Sequence, residues 1–347
     1  MSEYKYILWD FRTGQKEILP EALNRSYSYQ LNRAGKASFS LPLTTERLQR
    51  FPLYIGVTRL LIYRADKLIW AGVIWEITED AQDDEGAVNV QCTEIFHILS
   101  EKRYTSNSYT NTDAGQIAWG LINTTQGLTG GNLGITQGTI QATQNRDRTS
   151  LDEKIGEKII QLTEVINGFD FEITPSIKVN TLGVFNVYSK RGSVINTFRL
   201  EYGEGLRNNI QSWSRKRTLS DMYNSVIVEG EGYGDIALKS TQTDNSMITA
   251  VGLLEGRVQE KSVNQQTTLD TKAQEFIRVR KTEQFIYDIT LNNAYNDFGK
   301  YDLGDIVPVK IKYGYLDINT TMRIYGIDVR VSDAGEEVIK LTVSPII

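Results

Sequence analysis

The 347-residue sequence holds a single cysteine, a single histidine and only 6 prolines. One cysteine, Cys92, excludes an internal disulfide, and a chain with no disulfide framework suits folding in a reducing cytosol. Cys92 lies on the apolar side of the alternating segment Val88-Asn89-Val90-Gln91-Cys92, where a thiol serves as a small buried hydrophobe rather than a reactive group. Any Ser-His-Asp or Cys-His arrangement would need His97, which sits in apolar Glu94-Ile95-Phe96-His97-Ile98-Leu99 and reads as a hydrogen-bonded structural residue. One His and one Cys also exclude the usual zinc sites. Basic residues are not in excess: the net charge is −5, and phosphate binding needs clustered Lys and Arg. The apolar run near the N-terminus is too short for a signal peptide, and no later run is long and uncharged enough to cross a bilayer. Secretory export and stable membrane insertion are therefore not expected.

What is present favours β structure: 18 Tyr, 11 Phe and 5 Trp, with many Ile, Val and Thr. The length exceeds one comfortable core, so two or more domains are expected. The 28 glycines suit tight turns. Tyr27 to Leu31 and Ala37 to Leu41 flank Asn32-Arg33-Ala34-Gly35-Lys36, a hairpin with Gly35 available for positive φ. Leu60 to Tyr63 and Leu68 to Trp70 flank a second turn, Arg64-Ala65-Asp66-Lys67. Val73 to Thr78 and Val88 to Thr93 flank an acidic tip with Glu79, Asp80, Asp83, Asp84 and Glu85. Short strands joined by hairpins at this spacing predict a sandwich or barrel.

After Tyr104 the pattern changes. Asp113 to Thr125 has helical spacing, with Asp113 as N-cap. Gly127 to Gly138 reads as a flexible Gly-rich loop without the Gly-Lys-Ser/Thr ending of a phosphate loop. Ser150-Leu151-Asp152-Glu153 has the form of a capping box opening a helix, with Leu151, Ile155, Ile159, Leu162 and Ile166 as its apolar stripe and Asn167-Gly168 as its stop. Strands resume at Phe169 to Ile173, Val184 to Tyr188 and Ser225 to Gly230. A helix is expected near Leu269 to Lys281, then strands at Ile286 to Leu291, Val307 to Lys312, Met322 to Ser332 and Glu337 to Ser344. Pro308 places its strand at an edge or at that strand's start.

An internal repeat links the two ends. Ala71-Gly72-Val73-Ile74-Trp75-Glu76-Ile77-Thr78, a turn and Val88 to Thr93 resemble Tyr325-Gly326-Ile327-Asp328-Val329-Arg330-Val331-Ser332, a turn and Val338 to Val343. Each copy follows an earlier hairpin. The expected class is mainly β with α+β insertions: two similar small β-barrel domains plus two α+β domains. The expected division is 1–104 for the first barrel, 105–205 for an α+β domain, 206–245 with 302–347 for the second barrel, and 246–301 for a small α+β insertion.

No motif supplies chemistry. The acidic tip lacks the spacing of an EF-hand loop, Arg215-Lys216-Arg217 reads as a solvated strand end, and Leu303-Gly304-Asp305-Ile306-Val307 reads as a tight turn feeding a strand. No residue is assigned a catalytic, cofactor-binding or metal-binding role, and no cofactor is expected.

The order of these segments resembles the baseplate hub proteins of long-tailed phages, including the hub region of tail-associated lysins and of type VI secretion spikes. The resemblance rests on Leu31 to Leu43, Ile62 to Ile74, Leu99-Ser100-Glu101-Lys102-Arg103, Asn224 to Gly230 and Tyr301-Asp302-Leu303-Gly304-Asp305-Ile306-Val307. It implies a non-enzymatic virion protein of the tail tip or baseplate, assembled in the host bacterial cytoplasm. It further implies a homotrimer whose six similar barrels make a pseudo-sixfold ring, with a channel that DNA and the tape-measure protein traverse without specific binding. The implied partners are the distal tail ring or tube protein, the tape-measure protein, and tip, spike or receptor-binding proteins. Longer relatives carry a C-terminal lysin, receptor-binding or spike region. This sequence ends at Pro345-Ile346-Ile347, just after its last expected strand, so those functions are expected in separate proteins. A tail-tip cell-wall hydrolase and a carbohydrate- or receptor-binding module, which the Tyr and Trp content permits, are the alternative readings.

Overall fold

The computed structural model describes residues 3–82, 85–165, 167–178, 181–261, 263–295 and 297–346. Alternation of apolar and polar residues builds the first β region: β1 (Tyr4–Asp10), β2 (Lys16–Ile18), β3 (Leu23–Gln30), β4 (Lys36–Pro42), a short helix α1 (Glu46–Arg50), β5 (Thr58–Arg64), β6 (Lys67–Gln82) and β7 (Glu85–Thr93). An α+β segment follows: α2 (Phe96–Glu101), β8 (Tyr104–Asp113), α3 (Ala114–Gln126), β9 (Ile135–Ile140), β10 (Asn145–Lys154), α4 (Ile155–Thr163), β11 (Asp170–Lys178) and β12 (Thr181–Tyr188). The last third contains β13 (Leu200–Tyr202), β14 (Ile210–Thr218), β15 (Ser225–Glu229), β16 (Lys239–Thr243), α5 (Asn245–Val251), β17 (Glu255–Gln259), α6 (Gln266–Arg280), β18 (Gln284–Leu291), β19 (Ile306–Tyr313), β20 (Leu316–Val331) and β21 (Glu337–Pro345). The protein is mainly β, with 50% of residues in strands and 18% in helices.

The two β regions have the same internal order. In the first, neighbouring strands run β3-β4-β7-β6-β5-β1; in the second they run β14-β18-β21-β20-β19-β13. Read along the chain, β1 matches β13, β3 matches β14, β4 matches β18, and β5, β6 and β7 match β19, β20 and β21. The correspondence reaches fine detail. Both middle strands, β6 and β20, are 16 residues long. Both follow two-residue turns, Ala65-Asp66 and Gly314-Tyr315, where left-handed backbone closes the hairpin. Both bulge by one residue against the next strand, at Trp75 and at Tyr325. Just before each bulge a carbonyl accepts from a glycine amide at 2.9 Å: Ile74 from Gly56, and Ile324 from Gly304. The repeat is thus present with a corrected alignment, in which Gly326 corresponds to Glu76 rather than to Gly72. One difference is that β13 runs parallel to β19, whereas β1 runs antiparallel to β5.

The units are not separate barrels. Strand β3 pairs antiparallel with β20, from Gln30↔Gly326 to Arg25↔Val331, and fuses them into one 13-stranded sheet. Among the described residues no sheet closes into a barrel. One hydrophobic core spans both units, from Tyr6, Phe39 and Trp70 to Val307, Ile324 and Leu341. The expectation of two barrels treated each hairpin set as self-contained, but β3 and β20 complete each other.

Two further cores sit outside this sheet. The first insertion packs Ile117, Leu121, Ile155, Ile159, Phe171 and Phe185 between its helices and the sheet β11-β12-β9. Asp113 caps α3, its Oδ1 accepting from the Gln116 amide at 3.1 Å. The second insertion packs Leu269, Ala273 and Ile277 of α6 onto Val226 and Val228 of the sheet β16-β15-β17.

Several local expectations fail for identifiable reasons. Ser150-Leu151-Asp152-Glu153 is not a helix start: it lies in β10, which pairs with the polar strand β8, and α4 begins at Ile155. Leu151 is 76% exposed, outside the stripe of Ile155, Ile159 and Leu162. Helix α4 ends at Thr163, before Asn167-Gly168, and Ile166 lies outside the described residues. Gly127 to Gly138 is a loop only in its first part; from Ile135 it becomes β9, parallel to β12. In the first hairpin the left-handed residue is Asn32, at φ 59°. Gly35 is required for a different reason, since a Cβ there would stand 2.0 Å from the Ser28 carbonyl oxygen.

Candidate functional site

The residues with chemical potential are dispersed. Cys92 is buried in β7, where burial pushes its thiol far above the usual range. His97 on α2 packs its ring edge-on against Trp75 at 4.5 Å, and burial lowers its pKa. A ring contact thus holds the residue where the sequence suggests a hydrogen bond. Of the acidic tip, Asp83 and Asp84 lie outside the described residues, and Asp80 accepts from Asn89 Nδ2 at 2.9 Å. Among the described residues no three His, Cys, Asp or Glu side chains gather as metal ligands.

The densest polar site joins the parts of the fold. Asp170, at the start of β11, accepts from Asn32 Nδ2 at 2.9 Å and from the Arg191 amide at 2.7 Å, and it forms an ion pair with Arg323 of β20. Asn32 returns a bond by accepting from the Phe171 amide at 2.9 Å. Arg323 also donates to the carbonyls of Gly304 and Arg191, at 3.1 and 2.9 Å. Arg191 pairs with Glu172 at 2.8 Å. Asp305 accepts from the Ser193 and Asp302 amides, at 2.8 and 2.7 Å, which makes the Leu303-Gly304-Asp305 turn the local structural device expected of it. Five separate chain segments thus meet on a few carboxylates, an arrangement that fixes geometry.

A cleft of about 910 Å³ opens between the two insertions, bordered by Arg146, Arg148, Lys272, Phe276 and Tyr325. Its carboxylates are occupied. Glu164 pairs with Arg33 at 3.0 Å, Glu260 with Lys272 at 2.8 Å and Glu275 with Arg278 at 2.7 Å, while Asp147 accepts from the Asn111 amide at 2.6 Å. Burial lowers the pKa of both Arg148 and Lys272.

Two of the open strand edges carry charge of opposite sign. Past its bulge, β6 pairs only with β7, and its outer side presents exposed Glu76, Glu79 and Asp80. Strand β14 pairs only with β18. Arg215-Lys216-Arg217 forms the solvated C-terminal end of β14, as its sequence suggests. Arg215 rests over the Phe285 ring at 5.6 Å, Arg217 pairs with Glu283 at 2.7 Å, and Lys216 is exposed. Sequence reading singled out both charge clusters and missed that each occupies a strand edge.

The sequence matches no family model and no curated protein. The structure does have solved counterparts. The tail protein from Neisseria meningitidis MC58 superposes with a TM-score of 0.66 at 13% identity, over 98% of this chain and 96% of that one. The 43 kDa tail protein of prophage MuSo2 from Shewanella oneidensis gives 0.65 at 13% identity, over 98% of each chain. The E. coli c3393 protein, a type VI secretion component with structural similarity to T4 tail proteins gp27 and gp5, gives 0.51 at 10% identity, over 94% of this chain and 74% of that one. The fold is therefore that of phage tail proteins and of type VI secretion spike- and hub-like proteins.

Proposed function

We propose that this chain is a structural hub at the distal end of a phage or phage-like tail, in which three copies form a ring of six like β units. The observation that carries the reading is the duplicated six-strand order within one polypeptide. Three doubled chains present six similar surfaces, so a ring of true threefold symmetry can meet a sixfold tail ring. The fold shared with phage tail proteins supports the same placement. On this reading the division into 1–104, 105–205, 206–245 with 302–347, and 246–301 is adjusted so that β13 and β18 join the second hub unit and β15 and β16 join the small insertion, and the insertions face the tip or spike. The partners are the distal tail ring or tube, the tape-measure protein, and tip, spike or receptor-binding proteins. DNA passes through the ring, and a net charge of −5 suits passage without capture. The protein acts by assembly rather than catalysis, at the virion tail tip, after assembly in the host cytoplasm.

Light scattering with negative-stain imaging of the purified protein tests this. A three-chain ring with an open centre is expected. A monomer at every concentration, or clearing of cell walls by the isolated chain, would overturn the assignment.

A further inference from the structure

The junction inside the chain specifies the junction between chains. Within one molecule, β3 of the first unit pairs with β20 of the second. Their counterparts are β14 of the second unit and β6 of the first, and the edges that would repeat this junction are both unpaired. A single molecule cannot use them on each other without abandoning the β3–β20 order, but a neighbouring copy can. We propose that β14 of one copy adds antiparallel to the outer edge of β6 of a second copy, in the register of β3 on β20. This rests on the ring reading above and names the contact that closes the ring.

The register follows from matched pairings. Phe39 faces Val90, which faces Ile77; likewise Ile289 faces Leu341, which faces Ile327. Ile77 therefore corresponds to Ile327, and Glu79 to Val329. Ser26 faces Ser38 and Ser214 faces Asp288, so Tyr27 corresponds to Arg215. Inside the chain Val329 is opposite Tyr27, so between copies Glu79 falls opposite Arg215. In the same register Thr78 faces Lys216 and Asp80 faces Ser214. Lys216 then has Glu76 and Asp80 as its two diagonal neighbours on the same face, within reach of a long side chain. The acidic outer edge of β6 and the basic run of β14 come to lie opposite each other with complementary charge. Where the internal junction uses apolar Val329 and Tyr27, the external one uses an ion pair. Such an edge is soluble until its partner arrives and is selective about register. The contact is head to tail, so it closes only as a ring or continues as a filament.

Cysteine pairing tests the register in the full chain. Asp80→Cys with Ser214→Cys places two thiols directly opposite across the junction, at the Cα separation a disulfide tolerates. Native Cys92 is buried and does not compete. Oxidation is expected to yield covalently closed three-chain species on non-reducing gels. The offset pair Thr78→Cys with Ser214→Cys is expected to cross-link poorly. A ring that forms by light scattering but does not cross-link in the first variant, or cross-links equally in both, overturns the register and leaves the ring standing. A protein that stays monomeric overturns both. Charge reversal supplies a second readout: Glu79→Arg and Arg215→Glu are each expected to raise the concentration for half-assembly about tenfold, and together to restore it. Failure of the double variant to recover, with folded monomers by circular dichroism, refutes the pairing.

Discussion

Glu94 makes stability depend on pH in an unusual direction. Its carboxylate turns inward and accepts from the Gly35 amide at 2.7 Å, and burial pushes its pKa from an ordinary 4.5 to about 7. The folded state therefore holds the proton more tightly than the unfolded chain between those two values. The contribution of Glu94 to stability is greatest below pH 4.5, declines as pH rises toward 7, and levels off above it. The full difference corresponds to about 3 kcal/mol, which the partial exposure of the residue reduces to roughly 1–2 kcal/mol. Glu94→Gln keeps an oxygen acceptor for Gly35 and removes the titration. Urea unfolding followed by tryptophan fluorescence, for parent and variant at pH 5 and pH 8, isolates the effect, because every other group titrates alike in both proteins. The variant should gain on the parent by about 1–2 kcal/mol between the two pH values. A gap that stays constant, or that favours the parent more at pH 8, would refute the argument.

Three further substitutions probe other features. Asp170→Ala leaves Arg323 buried without its partner and should cost about 3–5 kcal/mol, read as a lower urea midpoint. Gly72→Ala would set a Cβ 2.3 Å from the Trp70 ring and 2.4 Å from the Thr93 carbonyl oxygen, so a loss of about 2 kcal/mol or more is expected in thermal unfolding. Leu151→Ser, which a helix stripe would make severe, should change stability by less than about 0.5 kcal/mol because the side chain is exposed on β10.

Much of the architecture was legible wherever burial imposes a period. The hairpin at Ala65-Asp66, helices α3 and α6, and the closing meander β19-β20-β21 all follow from alternating or helical apolar spacing. Strands β8 and β10 carry no such signal because they form a two-stranded ribbon, one strand rich in Thr, Ser and Asn and the other in charged residues, with no apolar face to mark it. Ser150 and Glu153 match a capping pattern by residue type, yet their backbone bonds go to β8, a partner far away in sequence. The repeat is visible in sequence but out of alignment, since the similar Gly-Val-Ile and Gly-Ile-Asp stretches are not equivalent and the bulges at Trp75 and Tyr325, which are, have no sequence signature. The charges of β6 and β14 carried no meaning until the strand order put them at matching places in the two units. Fusion of the units by β3 and β20 could not be read either, because neither strand's local pattern names its partner.

The pairing of Tyr27 with Val329 also constrains biosynthesis. A ribosome finishing β7 has yet to make more than two hundred residues before β20 emerges, which at ordinary elongation rates takes roughly 10–50 seconds. Throughout that interval the tyrosine-bearing side of β3 has no mate within its own nascent chain. Messages truncated before residue 316 would leave that seam permanently unzipped, so premature termination should yield sticky fragments rather than a tidy half-molecule.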